Sequence, residues 1–252
     1  MRSIIIATLL ILFSPSTPVA AYTTSAASFE VWADGFHIGQ LSARYRSSAN
    51  RYTITVRGKA AGILGFLLRA SYDGISKGRF VANGHMQPGV FYARTSRIFK
   101  KRVQRVDYRN GLPTKVAIAP KRDLTEMSDP SLVTSARLDP LSFFALFMQD
   151  RKNGCPASAD LYDGRRLTHV TLAPTPPAAA KDAENRLRCE GSYQITRGPD
   201  HSILPGIRSF PVRFDYTRAK GQRLFHLDRI EVTSGSNHVV LTRNAIATAA
   251  AN

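Results

Sequence analysis

Acidic residues are scarce in this chain. Eighteen Asp and Glu stand against 35 Lys and Arg in 252 residues, a formal net charge of +17. A field of that sign and size attracts anionic partners and weakens with salt. Few carboxylates remain for acid–base chemistry, and Asp34 and Asp163 already suit turns beside Gly35 and Gly164. The six histidines form neither H-x-x-H nor H-E-x-x-H, and none has an acidic partner at close spacing, so no metal site is expected. No G-x-S-x-G elbow exists for a serine hydrolase. These absences point away from an enzyme and from any cofactor.

Long apolar runs are also missing, with one exception. Ile4 to Phe13 is almost wholly apolar, follows Met1-Arg2, and gives way to Ser14, Pro15, Pro18 and the small residues Val19-Ala20-Ala21. A basic tip, an apolar core of about ten residues and a small-residue exit form a secretory signal peptide. The run is too short for a bilayer, which takes roughly 20 residues. Cleavage is expected after Ala21, with Ala26-Ala27 as second choice, and no cysteine stands there to make a lipoprotein. Residues 22–252 then form the mature chain, and loss of Arg2 lowers its net charge from +17 to +16. Nucleic acid would be the natural partner of such a charge in the cytoplasm. After export the anionic candidates are lipid headgroups, lipopolysaccharide and acidic wall polymers, unless the charge serves solubility alone.

Cysteine is nearly absent: only Cys155 and Cys189, with no C-x-x-C. An even count in an exported chain reads as one structural disulfide. The pair brackets Ala173 to Lys181, a Pro/Ala-rich stretch expected to be a long loop within one domain.

What is abundant is a strand-and-turn grammar. Phe29–Ala33 and Phe36–Tyr45 flank Asp34-Gly35. Val103–Arg109 and Leu112–Ala119 flank Asn110-Gly111. Leu161-Tyr162 and Arg165–Leu172 flank Asp163-Gly164, and Val212–Thr217 and Gln222–Val232 flank Lys220-Gly221. Asx-Gly suits the two-residue hairpin, whose central residues need positive φ. Tyr52, Ile54 and Val56 share one face of a strand and Thr53 and Thr55 the other. About eleven strands are expected, in an antiparallel sheet that curls on itself.

Two segments break this pattern. Ile63–Leu68 is continuously apolar and fits a buried strand or a short helix equally. Asp139-Pro140 opens an apolar run, Leu141 to Met148, that continues to Asn153 and stops at Gly154. Asp at the N-cap, Pro at the first turn and Gly at the exit define a helix, with Lys152 complementing its dipole. The helix is apolar nearly all round, so it should pack into the concave face of the sheet. Leu141, Phe143, Phe144 and Phe147 are candidates for a ligand-binding apolar face there, if the helix fills the concavity only in part; otherwise they are ordinary core.

Basic residues concentrate between Tyr92 and Arg122, where ten of them meet one acid, Asp107. Arg97, Lys100, Lys101, Arg102 and Arg105 put charge on both faces around one tip. A sheet face packed on a core would exclude such charge, so part of this hairpin stands in solvent. It fits a docking surface for anionic lipid or a partner protein, or charges that protect an edge strand.

The blocks FEVWADGFHIGQL (29–41), GILGFLLRASYDGISKGRF (62–80), QPGVFYARTSR (87–97), DPLSFFALF (139–147), LYDGRRLTHVTL (161–172) and RCEGSYQITRGP (188–199) occur in an order that resembles a large family of uncharacterised, exported proteobacterial proteins, catalogued as a domain of unknown function. The resemblance spans nearly the whole mature chain and implies a periplasmic β-rich domain without an established activity. More distantly, the layout is similar to periplasmic β-spiral envelope-integrity proteins and to LolA/LolB-like lipoprotein carriers, incomplete barrels with helices packed inside. The missing lipoprotein cysteine separates this chain from the LolB type, and no functional motif carries over.

Together these features predict a mostly β fold: a curled antiparallel open barrel or β-spiral with one or two short helices on its concave face. The expected role is non-enzymatic support of envelope integrity in the periplasm, through binding of a lipid or lipoprotein acyl chain. The alternatives are a protein-interaction scaffold without a cavity and an enzyme acting on the cell wall.

Overall fold

Alternation along the chain builds the sheet. In the computed structural model, which describes residues 22–62, 69–135, 137–176, 184–200, 206–219, 221–235 and 237–244, Tyr52, Ile54 and Val56 are buried while Thr53 and Thr55 are only half-buried. The expected signal peptide and the apolar run 63–68 lie outside the described residues. Thirteen strands follow one another: β1 (Thr23–Ala33), β2 (Phe36–Ser47), β3 (Arg51–Ala60), β4 (Ser71–Phe80), β5 (Met86–Arg97), β6 (Lys100–Arg109), β7 (Leu112–Ala119), β8 (Ala159–Tyr162), β9 (Leu167–Thr175), β10 (Arg186–Arg197), β11 (Ser209–Thr217), β12 (His226–Ser234) and β13 (Asn237–Arg243). They form one antiparallel sheet in the order β7-β6-β5-β4-β3-β2-β1-β13-β12-β11-β10-β9-β8. Pairing of β1 with β13 joins two meanders, from Phe29↔Arg243 to Ala33↔Val239.

The sheet curls until its two edges approach. Residues 137 and 138 link them: Arg137 N–H donates to Gly111 O beside β7, Leu138 N–H donates to Asp160 O, and Leu138 O accepts from Tyr162 N–H on β8. The Tyr108 hydroxyl on β6 donates to Tyr162 O at 2.7 Å. The barrel is therefore closed through a short strap and side chains rather than by a strand ladder.

Asp34-Gly35 (φ +48°, +83°) and Asn110-Gly111 (φ +55°, +78°) make the expected two-residue hairpins. Asp163-Gly164 does not. Its connection has four residues, because Asp163 Oδ1 accepts from the backbone N–H groups of both Arg165 and Arg166 at 2.8 Å and holds an Asx turn. The connection holding Gly221 is longer than expected too, and β12 starts at His226 rather than at Gln222. The first part of the Pro/Ala-rich stretch belongs to β9. There Pro174 pairs with Cys189, beyond the reach of the four-residue β8, so its missing N–H leaves no ladder bond unmade.

The apolar run after Asp139 forms a single helix, α1 (Pro140–Met148). It starts where the cap signals place it but ends six residues before Gly154. Gln149 is extended, and Arg151 exchanges both backbone hydrogen bonds with Phe225, which draws the chain out of the helix. The Arg151 guanidinium, not Lys152, serves the helix end, donating to Leu146 O at 2.5 Å.

The helix lies against the concave side, and β4 is shaped to receive it. A Cβ on Gly74 would stand 2.8 Å from Leu141 Cδ1 and 2.7 Å from the Tyr72 hydroxyl. Gly74→Leu is therefore expected to push α1 off the sheet and cost about 2 kcal/mol in urea unfolding, the usual cost of overpacking a core. On the outer face, arginines bind carboxylates across strands. Arg188 (β10) meets Asp215 (β11) at 2.8 Å, and Arg213 (β11) and Arg229 (β12) converge on Glu231 (β12). Part of the chain's positive charge is thus spent on sheet pairing. Among the described residues no helix is long and apolar enough to cross a membrane.

Candidate functional site

Helix α1 fills the lower part of the barrel, toward the β2–β3 and β4–β5 turns. Phe147 stacks on Phe214 at 4.0 Å and meets Phe143 edge-on at 5.0 Å, and Leu141, Phe143 and Phe147 are all buried core. Phe144 is half-buried against the same cluster. None of the four is among the residues that line the three cavities described below, and all four pack in or against the barrel core.

A cavity of about 480 Å³ opens above the helix instead, where the strands rise to the β1–β2 and β5–β6 turns. Its volume falls within the usual range of small-molecule sites. Its wall is Val31, Ile38, Leu41, Ala60, Ala70 and Tyr72, from β1 to β4 and their connections. A bulge in the β1–β2 pairing makes Ile38 an extra residue, and that residue lines the cavity. Gly39 and Gly58 supply floor without side chains. A Cβ on Gly39 would lie 2.5 Å from Lys59 O, so that position admits no side chain. Gly58 is different: its Cβ would meet Tyr72 Cβ at an ordinary 3.6 Å.

The rim carries the opposite chemistry. Lys59, Arg97, Lys100, Lys101, Arg102 and Arg166 line the cavity with one acid, Asp123. That ratio far exceeds the chain's 35 to 18. Arg102 is committed to Asp123 at 2.6 Å, and its hydrogen bond holds the Asp123 carboxyl below the usual carboxylate range. Arg166 pairs with Asp163 at 2.8 Å. Burial opposes the Arg166 charge, and Asp163 more than reverses that, so its pKa rises. Lys59, Arg97 and Lys101 have no carboxylate within 4 Å among the described residues. Two other depressions, of about 650 and 570 Å³, are lined mainly by charged and polar side chains.

The basic cluster seen in the sequence is thus divided. Arg97, Lys100, Lys101 and Arg102 reach the cavity mouth, whereas Arg105 turns outward and pairs with Asp107 at 2.8 Å. Edge protection does not explain them, because β6 is paired on both sides and β7 forms the edge. Three histidines hydrogen-bond to acidic partners, none of them at close sequence spacing. His37, His169 and His226 each meet a carboxylate at 2.6–2.7 Å (Glu30, Asp160 and Asp150), at separations of 7, 9 and 76 residues. These pairs lie outside the cavity.

A second buried polar group sits at the start of α1. Asp139 is fully buried, and its Oδ1 accepts from the N–H groups of Leu141 and Ser142 at 2.9 Å. Its Oδ2 accepts from Ser76 Oγ at 2.8 Å and Ser142 Oγ at 2.5 Å, and the Tyr52 hydroxyl meets Ser142 Oγ at 2.7 Å. Burial pushes the carboxyl above its ordinary value, against the four hydrogen bonds. With no solvent access, this cluster fixes the helix on β3 and β4 rather than acting on a substrate.

The disulfide joins Cys155, after α1, to Cys189 on β10, with Cα atoms 5.7 Å apart. No protein-family model and no curated protein matches the chain. Among solved structures, the chain is similar to a β-barrel-like protein of the domain of unknown function DUF1849 from Brucella abortus, at 10% identity and a TM-score of 0.40, over 90% of this chain and 98% of that one.

Proposed function

We propose that the protein is a non-enzymatic component of the cell envelope that holds the acyl chain of a lipid or lipoprotein in the upper part of its barrel. The cavity carries this reading. An apolar wall that ends in a basic rim, where Lys59, Arg97 and Lys101 have no carboxylate within 4 Å among the described residues, is complementary to an amphiphile with an anionic head, the chain against Leu41 and Tyr72 and the head at Arg97 and Lys101. The disulfide is in keeping with a protein that matures outside the cytoplasm. The layout of a plugged, incomplete barrel is also compatible with a role like that of periplasmic β-spiral and LolA/LolB-like proteins, by analogy of fold alone.

Native mass spectrometry of protein purified without detergent is expected to show a lipid-sized adduct. A fluorescent fatty-acid probe is expected to bind the stripped protein. Gly58→Leu fills the cavity from a position whose Cβ clashes with nothing. It should lower probe affinity about tenfold or more, or about 1.4 kcal/mol, while leaving the melting temperature nearly unchanged. Binding that survives this substitution at full strength would sink the cavity as the site. A protein scaffold without a ligand would show a clean apo mass in every preparation.

A further inference from the structure

The apolar side chains that the fold leaves in solvent are not scattered evenly. Among the described residues eight large ones stand exposed, and five of them are at the upper end: Trp32, Phe36, Ile98, Phe99 and Leu124. The two most exposed of all are Phe99, with no burial whatever, and Phe36, at 74%. Single exposed apolar residues are ordinary on protein surfaces. Two aromatic hairpin tips at one end of one barrel, beside the mouth of an apolar cavity, are not ordinary.

Phe99 is also held against its backbone preference. It sits at φ +58° in the turn between Arg97 and Lys100, a conformation that favours glycine or asparagine and penalises a bulky aromatic ring. A ring that is both strained and unburied contributes nothing to folding, so its contribution lies elsewhere. Its neighbours supply the rest of a recognisable chemistry. Arg97, Lys100 and Lys101 flank it, and Lys59 stands on the same rim. The other tip carries Trp32 and Phe36 about the Asp34-Gly35 turn. Four strand spacings separate the tips, about 20 Å along the sheet.

We infer that this end of the barrel docks on an anionic lipid bilayer. Phe99, Ile98, Phe36 and Trp32 enter the interfacial layer, and Arg97, Lys100 and Lys101 contact the phosphate headgroups. Aromatic rings at headgroup depth and clustered Lys/Arg beside them are the two elements of peripheral membrane attachment. Docking in this orientation turns the cavity mouth toward the lipid, so an acyl chain enters without crossing water. The attachment itself does not depend on the cavity being filled.

Trp32 provides the readout, because it is the only tryptophan in the chain. The mature, disulfide-bonded protein is mixed with vesicles of phosphatidylcholine containing about a third phosphatidylglycerol, and with pure phosphatidylcholine vesicles as reference. Co-sedimentation with the anionic vesicles alone is expected, weakening with salt. A blue shift of Trp32 emission and its quenching by brominated acyl chains should accompany it. Phe99→Asn suits the turn better than the native residue, so it should fold at least as well and still lose about tenfold in partitioning. Lys100→Glu with Lys101→Glu should lose more. Tyr22→Ser, at the opposite end, should bind as the wild type does. The inference is overturned if wild-type protein stays in the supernatant, or if it pellets without a Trp32 shift. Undiminished binding of Phe99→Asn overturns it as well. Extraction of single lipids into the cavity leaves the protein unpelleted, so failure of docking and failure of the acyl-chain reading give different results.

Discussion

Replacing Asp139 by alanine is expected to destabilise the protein by about 3 kcal/mol. An N-cap contributes about 1 kcal/mol, and each buried donor left without an acceptor adds a comparable or larger amount. Here the N–H groups of Leu141 and Ser142 and the hydroxyls of Ser76 and Ser142 all lose their shared acceptor in a fully buried site. Against a total of about 5–15 kcal/mol for an ordinary domain, this is a large fraction. Equilibrium urea unfolding, followed by far-UV circular dichroism, measures it. A loss below about 1 kcal/mol would mean that α1 holds its place by apolar packing alone. Asp139→Asn keeps an N-cap acceptor and the side-chain volume, and the serine hydroxyls can turn to accept from its amide, so its loss should be smaller.

The two variants also separate charge from hydrogen bonding. Burial raises the Asp139 carboxyl above its ordinary value near 3.8 in the folded chain. Between that value and the folded one, the native state binds more protons than the unfolded state. Stability from this group therefore falls as pH rises through the interval and is constant above it. The Asp139→Asn variant lacks this dependence. The stability of wild type relative to the variant should fall as pH rises from about 3.5 and then level off. A difference independent of pH would show that the carboxyl titrates alike in both states.

Local chemistry made much of this fold legible. Asp34-Gly35 and Asn110-Gly111 tolerate the positive φ that a two-residue hairpin needs, and Asp139-Pro140 announces a helix start without help from the rest of the chain. The helix end was not legible, because it is imposed by Phe225, distant in sequence, acting on Arg151. Strand β4 was hidden for a related reason. Its segment, SYDGISKGRF, carries two glycines that blur the strand pattern, yet Gly74 and Gly78 stand where Leu141 and the Tyr52 hydroxyl leave no room for a Cβ. The smallest residues mark the tightest contacts, and only the tertiary structure reveals this.

The candidate site followed the same division. Charge density alone located Arg97, Lys100, Lys101 and Arg102, and the apolar run Leu141 to Met148, broken only by Ser142, drew attention to the helix. Which apolar residues face open space depends on how deeply α1 fills the barrel. The wall residues Val31, Leu41, Ala60 and Tyr72 alternate like any core strand, and nothing local distinguishes a row that packs from a row left uncovered. The glycines at 39 and 58 were the one available signal, since two glycines on paired strands imply either close approach or empty space. Here the first position is a close approach, and the second has room for a Cβ at ordinary contact distance beside the cavity.

Removing the disulfide, by reduction or as Cys155→Ser with Cys189→Ser, is expected to cost about 4 kcal/mol. The bond closes a loop over a separation of 34 residues, and in the chain-entropy model a loop of that size restricts the unfolded chain by that amount. The loop it closes contains β8, the shortest strand and one edge of the sheet, which forms a ladder with β9 and is bridged on its other side to Leu138 of the strap. Loss of the bond should therefore act first where the barrel is held shut. Amides of Leu161 and Tyr162 should exchange faster with deuterium, while those of β2 and β3 stay protected until global unfolding. The two observations test different things. A full loss of stability with uniform exchange would assign the bond's contribution to the unfolded chain. Local exposure of β8 with little global loss would assign it to the seam between β8 and the strap at residues 137–138, and so to the bridging of the sheet's two edges.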